Sequence, residues 1–351
     1  MKKKIIYLPA DFAGCGQFRM IQPAKDLKKM NVEDLEFELV HDKVSNNTNF
    51  GTLISVLKDY DAVVFQRVAS PKILGIMKEV KKMGKKIYMD IDDALLHVSK
   101  SNPAYRVWNP NSDAWTTLKE ALKLCDKIFF STPQLSEVYA IDNCAVFFNG
   151  LNLQDPIYLP ERNRYNDMPR NRKVIGWAGS SSHLESLREI TKPIKKLISQ
   201  RDDVSFALCS NPEFLQLFDI PKDRKLYVQH KPFEEWPPVM SMFDVSLAPI
   251  VPGIFNSCKS ELKVLEAGVW GVPSVCTLEA PYKRFNELSE GGNLLVYKND
   301  VNEWVRKIST LLDDSEKRQE MVLKTKNTIE SIYNLREINK KRVDFFREEL
   351  F

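Results

Sequence analysis

Residues 243–277 read FDVSLAPIVPGIFNSCKSELKVLEAGVWGVPSVCT, and this stretch decides the fold. Residues 244–249 are short, apolar and ended by proline, which is typical of a buried parallel strand. Ser257 is a candidate N-cap for a helix over about residues 259–270, and Gly271 suits its end. Another apolar strand follows. The stretch therefore predicts one strand–helix–strand unit of a parallel α/β sheet.

Four side chains fall on one narrow arc of this predicted helix, namely Lys259, Lys263, Glu266 and Trp270. A helix N-terminus offers free N–H groups and partial positive charge, so two added lysines suit a diphosphate. Glu266, one turn later, could accept hydrogen bonds from a ribose diol. The alternative is a solvated helix face on which Lys263 and Glu266 form an ordinary surface pair.

The same stretch resembles the donor-binding signature of GT-B glycosyltransferases of the group-one type, which ends in E-[AG]-x-[AG]-x-G-x-P and a hydrophobic residue. Residues 266–275, EAGVWGVPSV, match it. The resemblance implies that Glu266 holds the ribose of a nucleotide sugar, with a UDP-sugar as the expected donor. Many members carry another glutamate eight positions earlier, near the transferred sugar. This chain has Cys258 there, followed by Lys259 and Ser260, so that role has no acid to perform it.

The composition is that of a globular protein with two domains. The 351 residues exceed one small core, and hydrophobic and charged residues make up 43% and 28%. No apolar run approaches a membrane span, and the run at 5–8 is too short for a signal peptide. Six scattered cysteines without a C-x-x-C pair indicate a reduced, cytoplasmic protein, in the host cytoplasm if phage-encoded. The net charge of +4 permits an anionic partner without requiring one.

Strands alternate with helices along the chain, which predicts an α/β protein with two doubly wound, Rossmann-like sheets facing a cleft. We expect an acceptor-side domain over 1–152, a linker over 153–172 and a nucleotide-sugar domain over 173–330. In the GT-B fold that the resemblance implies, residues 331–351 form a helix that packs back on the first domain. Ligands of such sheets bind at the carboxyl ends of the strands.

A glycine-containing turn follows the first predicted strand. Gly14 and Gly16 would let a ligand approach the backbone there and leave helix N–H groups free, so we include both among the donor-binding candidates. Arg19, one turn into the helix, could reach an anionic group or could simply be exposed.

A second turn of small residues opens the predicted nucleotide-sugar domain. Gly179, Ser180 and Ser181 suit a phosphate, because small residues and hydroxyls leave room and donors for it. His183 could contact the pyrophosphate or lie near the helix cap. With Lys259, Ser260, Lys263 and Glu266, these four residues and the two glycines of the first turn complete the predicted donor site.

Three aspartates, Asp90, Asp92 and Asp93, follow a strand that ends near residue 89. Neighbouring carboxylates repel one another, so a cluster of three suggests a functional role. A metal-binding D-x-D, as in GT-A glycosyltransferases, is one hypothesis, and an N-cap for residues 94–98 is another. We favour a third, in which Asp90 or Asp93 deprotonates an acceptor hydroxyl. No metal site is implied, although a divalent metal is compatible with the cluster.

The acceptor is left open. The arrangement of Ala178-Gly179-Ser180, Lys263 with Glu266, and Asp90 loosely resembles phage DNA glucosyltransferases, so a hydroxymethylated DNA base is a leading candidate acceptor. Basic residues would attract such a polyanion, unless they are only solvated; they are Arg162, Arg164, Arg170, Arg172 and Lys173 in the linker and Lys78, Lys81, Lys82, Lys85 and Lys86 in the first domain. A glycan or another small-molecule or polymer acceptor is the first alternative. A catalytically silent module that binds a nucleotide sugar or nucleic acid is the second.

Overall fold

The structure, a computed structural model, describes residues 2–43, 49–159, 165 and 171–351. It contains two six-stranded sheets in which all paired strands run parallel. The first sheet, in the order β2-β1-β3-β4-β5-β6, contains β1 (Lys3–Leu8), β2 (Leu35–Leu39), β3 (Ala62–Gln66), β4 (Lys86–Ile91), β5 (Lys127–Phe130) and β6 (Cys144–Val146). The second, in the order β12-β11-β10-β7-β8-β9, contains β7 (Lys173–Ala178), β8 (Val204–Ser210), β9 (Lys225–Gln229), β10 (Val245–Ala248), β11 (Ser274–Thr277) and β12 (Asn293–Val296).

Helices connect the strands and cover both faces of each sheet. They are α1 (Gly14–Gly16), α2 (Gln22–Met30), α3 (Phe50–Leu57), α4 (Pro71–Lys82), α5 (Asp113–Leu124), α6 (Pro133–Tyr139), α7 (Leu184–Arg188), α8 (Thr191–Gln200), α9 (Ile254–Ser257), α10 (Leu262–Val269), α11 (Ala280–Leu288), α12 (Val301–Asp313), α13 (Ser315–Ser331) and α14 (Leu335–Leu350). A π-helical turn, Gln17–Ile21, joins α1 to α2. The predicted two-sheet α/β architecture is confirmed.

In each sheet, the order in which strands are added reverses direction beside the first strand of that sheet. β1 lies between β2 and β3, and β7 lies between β8 and β10. In open parallel sheets this switch point opens a crevice at the carboxyl ends of the strands, where ligands bind. The turns after β1 and β7 and the loops after β3 and β10 are therefore the places to look for a site.

The last helix, α14, packs on the first sheet, as predicted. Ile338, Val343 and Phe346 are buried in the same core as the side chains of β1, β2 and β4. The side-chain amide of Asn339 donates to Asp26 at 2.8 Å, which fixes the helix against α2. Helix α14 is thus part of the first domain in space, although it follows the second domain in sequence.

The predicted helix over 259–270 is wrong at its start. The structure has the short α9, then a turn, then α10 from Leu262, and Glu261 instead of Ser257 precedes this helix. Phe255 and Cys258 are buried in the core of the first domain. This packing is incompatible with one continuous helix over the whole segment, so α9 and α10 are separate. Lys259 therefore lies in the turn before α10.

The predicted end of this helix is confirmed. Gly271 has a φ of +76°, the left-handed conformation that glycine adopts without strain. Its N–H donates to the Gly268 carbonyl and the Val272 N–H to the Ala267 carbonyl, at 2.9 and 3.1 Å, which is the Schellman pattern. Gly268 also has a packing reason to be glycine, because a Cβ there would lie 2.2 Å from Thr325 on α13. Helix α10 is thereby held tightly against its neighbours.

Candidate active site

The segment after β10 crosses from the second domain to the first. The hydroxyl of Thr132, after β5, donates to the Cys258 carbonyl at 2.9 Å. On the other rim of the cleft, the Asn102 side chain donates to the Ser182 carbonyl at 3.3 Å. The carboxyl ends of the two sheets are thus bridged, and residues of both domains can act on one ligand.

Lys263 joins the donor helix to the turn after β7. Its Nζ donates to the Ala178 carbonyl at 2.6 Å and lies 4.9 Å from the centre of the Trp177 ring. No ion pair links it to Glu266 in the part of the chain that the structure describes. The alternative of a solvated, salt-bridged face is therefore wrong for Lys263, and its ammonium group lies at the end of β7, where an anion could bind.

Gly179 shapes this contact and does not supply a free donor. Its N–H is used by the Cys209 carbonyl at 3.1 Å. A Cβ at Gly179 would lie 2.8 Å from the Nζ of Lys263 and 2.9 Å from the Trp177 ring. Glycine is needed here because it lets the lysine reach the turn.

We therefore expect Gly179→Ala to raise the dissociation constant of UDP about tenfold, the size of one charge-assisted hydrogen bond. The added methyl group displaces the Lys263 ammonium from its place at the turn. Isothermal titration calorimetry with UDP measures the change. Gly51→Ala is the matched control, because the nearest atom to a Cβ there is 3.5 Å away. Unchanged affinity in Gly179→Ala would contradict this assignment.

Burial shifts the pKa values of three titratable groups around this turn. It raises the pKa of Glu266 to about 7, against the opposing effects of Lys263 and Trp236. It lowers the pKa of Lys263 to about 8, with the nearby Lys259 acting in the same direction. Burial, Lys263 and Lys259 together hold the pKa of His183 well below its usual value. At pH 7 we therefore expect a neutral His183, a protonated Lys263 and a Glu266 carboxyl near its titration midpoint.

The serine turn lies beside these groups. The hydroxyls of Ser180 and Ser182 are 2.8 Å apart, and Ser180 is exposed while Ser181 is half-buried. Hydroxyls in this position can donate to an anion at the end of β7. The structure therefore brings Gly179, Ser180, Ser181 and His183 together near Lys263; their role in donor binding stays a prediction.

Lys259 lies on the first-domain side of the cleft. Its Nζ is 3.5 Å from Oδ1 of Asp93 and 4.5 Å from the centre of the Phe255 ring. The Asp93 side chain keeps 22% of its surface exposed. Burial raises the pKa of Asp93, and the opposing effect of Lys259 is smaller. A partly exposed carboxylate with a raised pKa next to a cation suits a proton acceptor in a cleft.

Asp90 does not face the cleft, so the base that we placed there needs correction. Both of its oxygens are bound by the buried Arg19, from Nε at 2.9 Å and from Nη2 at 2.7 Å. The two side chains of the pair are 0% and 3% exposed. Arg19 is thus neither exposed nor free to bind a ligand anion. A bidentate, buried pair is a structural element, and we move the proposed catalytic role to Asp93.

Asp92 lies behind Asp93 and is also nearly buried. Its Oδ1 has no hydrogen-bond partner among the described residues, and Nε of Arg67 is 3.8 Å away. The Sγ of Cys15 and the carboxylate oxygens of Asp92 and Asp93 lie within 4.8 Å of one another. This spacing would accommodate a metal ion, but the cationic Arg67 and Lys259 already stand beside these carboxylates and compensate their charge.

The glycine turn after β1 offers fewer free N–H groups than we predicted, because two of them are used within the turn. Oδ1 of Asp11 accepts from the N–H groups of Ala13 and Gly16, at 2.8 and 3.1 Å. A Cβ at Gly16 would lie 1.8 Å from the Asp11 carbonyl oxygen, so glycine is required for the fold of the turn. Gly14 is exposed, with no atom within 4 Å of a Cβ. A ligand role is left only for the open surface at Gly14.

The basic residues that we expected to attract a polyanion are mostly paired with acids. Of the five first-domain lysines that we named, four lie within 4.0 Å of a carboxylate, namely Lys78, Lys81, Lys82 and Lys86. Arg172 pairs with Asp223, and Lys173 with Asp203 and Asp313. Arg162, Arg164 and Arg170 lie outside the described residues. Of these basic residues, six of the seven that the structure describes therefore lie beside a carboxylate, Lys85 being the exception.

Sequence reasoning missed the buried polar contacts between the domains. Asn149, which follows β6 near the end of the first domain, donates from Nδ2 to the Ser260 hydroxyl at 2.8 Å. Nε of Arg284 binds the fully buried Glu261 at 2.5 Å, and the same guanidinium contacts Gln134 of the first domain. The only signal for these contacts was the presence of polar residues in apolar surroundings.

Comparison with known proteins finds one family model that matches part of the chain. Residues 172–314 match the model described as glycosyl transferases group 1. No curated protein matches the sequence. None of the described helices is long and apolar enough to cross a membrane.

Several solved structures share the whole architecture. The Anabaena protein Alr3699/HepE in complex with UDP and glucose has a TM-score of 0.72 at 13% identity, with 98% of this chain and 99% of that chain covered. A glycosyltransferase from Rickettsia africae has a TM-score of 0.69 at 15% identity, covering 99% and 98%. A UDP-forming α,α-trehalose-phosphate synthase from Burkholderia xenovorans has 0.65 at 13% identity, covering 99% of each chain.

These comparisons do not show the loose resemblance to phage DNA glucosyltransferases. They agree with the two facing sheets, the returning α14 and the signature on α10. Residues 172–314 match the model of the group 1 glycosyl transferases, and the chain as a whole shares the GT-B fold of these solved structures.

Proposed function

We propose that the protein transfers a sugar from a UDP-sugar to a hydroxyl group of an acceptor. The observation that carries the proposal is the contact of Lys263 with the turn at Gly179, at the carboxyl end of β7, with the half-buried Glu266 three residues later on the same helix. An ammonium group for the diphosphate and a carboxylate for the ribose lie one turn apart on α10. The solved complex of the similar Anabaena protein contains UDP and glucose, which supports UDP as the nucleotide.

In this mechanism the second domain binds the donor and the first supplies the base. Lys263 and the hydroxyls at Ser180 and Ser260 stabilise the negative charge that develops on the leaving diphosphate. Asp93 accepts the proton of the acceptor hydroxyl as the new glycosidic bond forms. Lys259 lies at the junction of the domains, 3.5 Å from Asp93, so it is near both the proposed base and the donor-binding segment. The bridged cleft excludes water that would otherwise hydrolyse the donor.

The direct test is a donor panel. The protein is incubated with UDP-sugars, with and without simple glycosides and hydroxymethylated DNA, and released UDP and glycosylated product are measured. Release of UDP from one sugar donor, lost in Asp93→Asn, supports the proposal. UDP binding without consumption of any sugar donor would instead identify a silent nucleotide-sugar binding module.

The pKa values predict how donor affinity depends on pH. Glu266 must be ionised to accept from both ribose hydroxyls, so affinity falls as the pH drops below about 7. Lys263 must be protonated to bind the diphosphate, so affinity falls as the pH rises above about 8. We therefore expect UDP to bind most tightly between these two values. Calorimetric titration of UDP from pH 5.5 to 9 measures the profile.

Glu266→Gln is the control for the loss of affinity at low pH. Its side chain cannot ionise, whereas any ionisation of UDP itself is the same as in the wild type. Its affinity should lack the part of the decline that belongs to the carboxylate. An identical pH profile in the wild type and in Glu266→Gln would show that Glu266 does not contact the ribose.

For the acceptor we favour a carbohydrate hydroxyl over a DNA base. Four of the lysines expected to attract DNA are paired with carboxylates, and on the acceptor side Arg67 and Lys259 lie within 4.0 Å of the carboxylates of Asp11, Asp92 and Asp93. A polyanion gains little from such a surface. All six cysteines, each within the described residues, are free thiols, which supports the reducing, cytoplasmic location that we propose.

A further inference from the structure

A chain of buried hydrogen bonds crosses the cleft from the first domain to Ser260. Arg19, held by Asp90, donates from Nη1 to Oδ1 of Asn149 at 3.0 Å. Asn149 in turn donates from Nδ2 to Oγ of Ser260 at 2.8 Å. Asn149 is 4% exposed, while Ser260 is half-buried and so remains open to a ligand.

Chemistry fixes the direction of every bond in this chain. A guanidinium group has only donors, so the amide oxygen of Asn149 must face Arg19 and the amide nitrogen must face Ser260. An amide nitrogen has no lone pair to offer, so the hydroxyl oxygen of Ser260 is the acceptor. The hydroxyl hydrogen of Ser260 is thereby kept free. Among the described residues no acceptor takes it.

We infer that Asn149 is a positioning residue that keeps Ser260 a hydrogen-bond donor toward the diphosphate of the donor. Ser260 lies between Lys259 and the first turn of α10, two residues before the helix begins. A hydroxyl hydrogen at this place complements the ammonium groups of Lys259 and Lys263. The inference rests on the proposed function, and it also gives the buried pair of Arg19 and Asp90 a role, which is to orient the amide.

Asn149→Asp tests the direction of the bond with almost no change of shape. One oxygen of the introduced carboxylate still accepts from Arg19, but the other can only accept, so Ser260 must now turn its hydrogen toward that carboxylate and away from the ligand. We expect the dissociation constant of UDP to rise about tenfold in Asn149→Asp, and about tenfold in Ser260→Ala. Both are measured by calorimetry, with the Tm as a check of folding.

The double variant separates orientation from the effect of the added charge. If Asn149 acts through the Ser260 hydroxyl, Asn149→Asp has nothing left to reverse in Ser260→Ala, and the double variant stays about tenfold weaker than wild type. Losses that multiply to about a hundredfold would overturn the inference, because the new charge would then act directly. Equal affinity in Asn149→Asp and wild type would overturn it as well.

The wild-type titration distinguishes this inference from the proposed function. If wild-type protein does not bind UDP, the proposed function fails and the inference fails with it. If wild-type protein binds UDP and the single variants keep their Tm, every result for the double variant decides the role of Asn149 alone.

Discussion

Lys263→Met is expected to raise the dissociation constant of UDP about a hundredfold, the upper part of the range for a hydrogen bond to a charged group. Methionine keeps an unbranched side chain against the Trp177 ring, 4.9 Å from the native Nζ, but it removes the ammonium group. The turnover number should fall further, since charge on the leaving diphosphate increases in the transition state.

Calorimetry with UDP and steady-state turnover of the sugar donor measure the two effects. Lys283→Met is the matched control, because Lys283 lies on α11, is 61% exposed and pairs only weakly with Glu287 at 3.8 Å. If Lys263→Met bound UDP as tightly as Lys283→Met, the donor site could not lie at the end of β7.

Asp90→Asn is expected to destabilise the protein by about 3–5 kcal/mol, because it leaves the buried Arg19 without a compensating charge. Asp93→Asn is its counterpart at the cleft. Since the Asp93 side chain is 22% exposed and its nearest cation is 3.5 Å away, its loss should cost less than about 1 kcal/mol of stability. Its turnover should nevertheless fall by a factor of about 10² to 10⁴, the range for a general base.

Thermal unfolding and turnover of both variants separate a structural carboxylate from a catalytic one. We expect a lower Tm in Asp90→Asn and a wild-type Tm with little turnover in Asp93→Asn. The opposite pattern, a wild-type Tm and lost turnover in Asp90→Asn with normal turnover in Asp93→Asn, would return the base to Asp90.

The fold could be predicted because its signals are local. Alternating apolar strands and helices specify parallel sheets, and Gly271 ends α10 through a conformation that glycine adopts readily. The meeting of Lys263 with the turn at Gly179 follows from the same rule, since both lie at the carboxyl ends of neighbouring strands, β7 and β10.

The assignments that failed depend on contacts between distant parts of the chain. Asp90 pairs with Arg19, 71 residues earlier, and nothing in the local sequence of either residue marks the other as its partner. Phe255 and Cys258 insert into the core of the other domain, so helix periodicity could not show that Lys259 lies outside α10. Tertiary packing overrides local propensity at such places.

The prediction of an anion site at Gly16 failed for a different reason. Glycines next to a helix start are compatible with a phosphate site and with a tight turn, and the spacing of the residues does not distinguish the two. Asp11 decides the matter for Gly16, because its side chain accepts from the N–H groups of Gly16 and Ala13. An acidic residue just before such a turn is therefore a useful warning against an anion site.

A crystal structure of the protein with UDP tests the central claim most directly. We expect the diphosphate within hydrogen-bond distance of the Lys263 ammonium group and the Ser260 hydroxyl, with both ribose hydroxyls facing the Glu266 carboxylate. UDP bound away from the carboxyl ends of β7 and β10, with Glu266 far from the ribose, would contradict it.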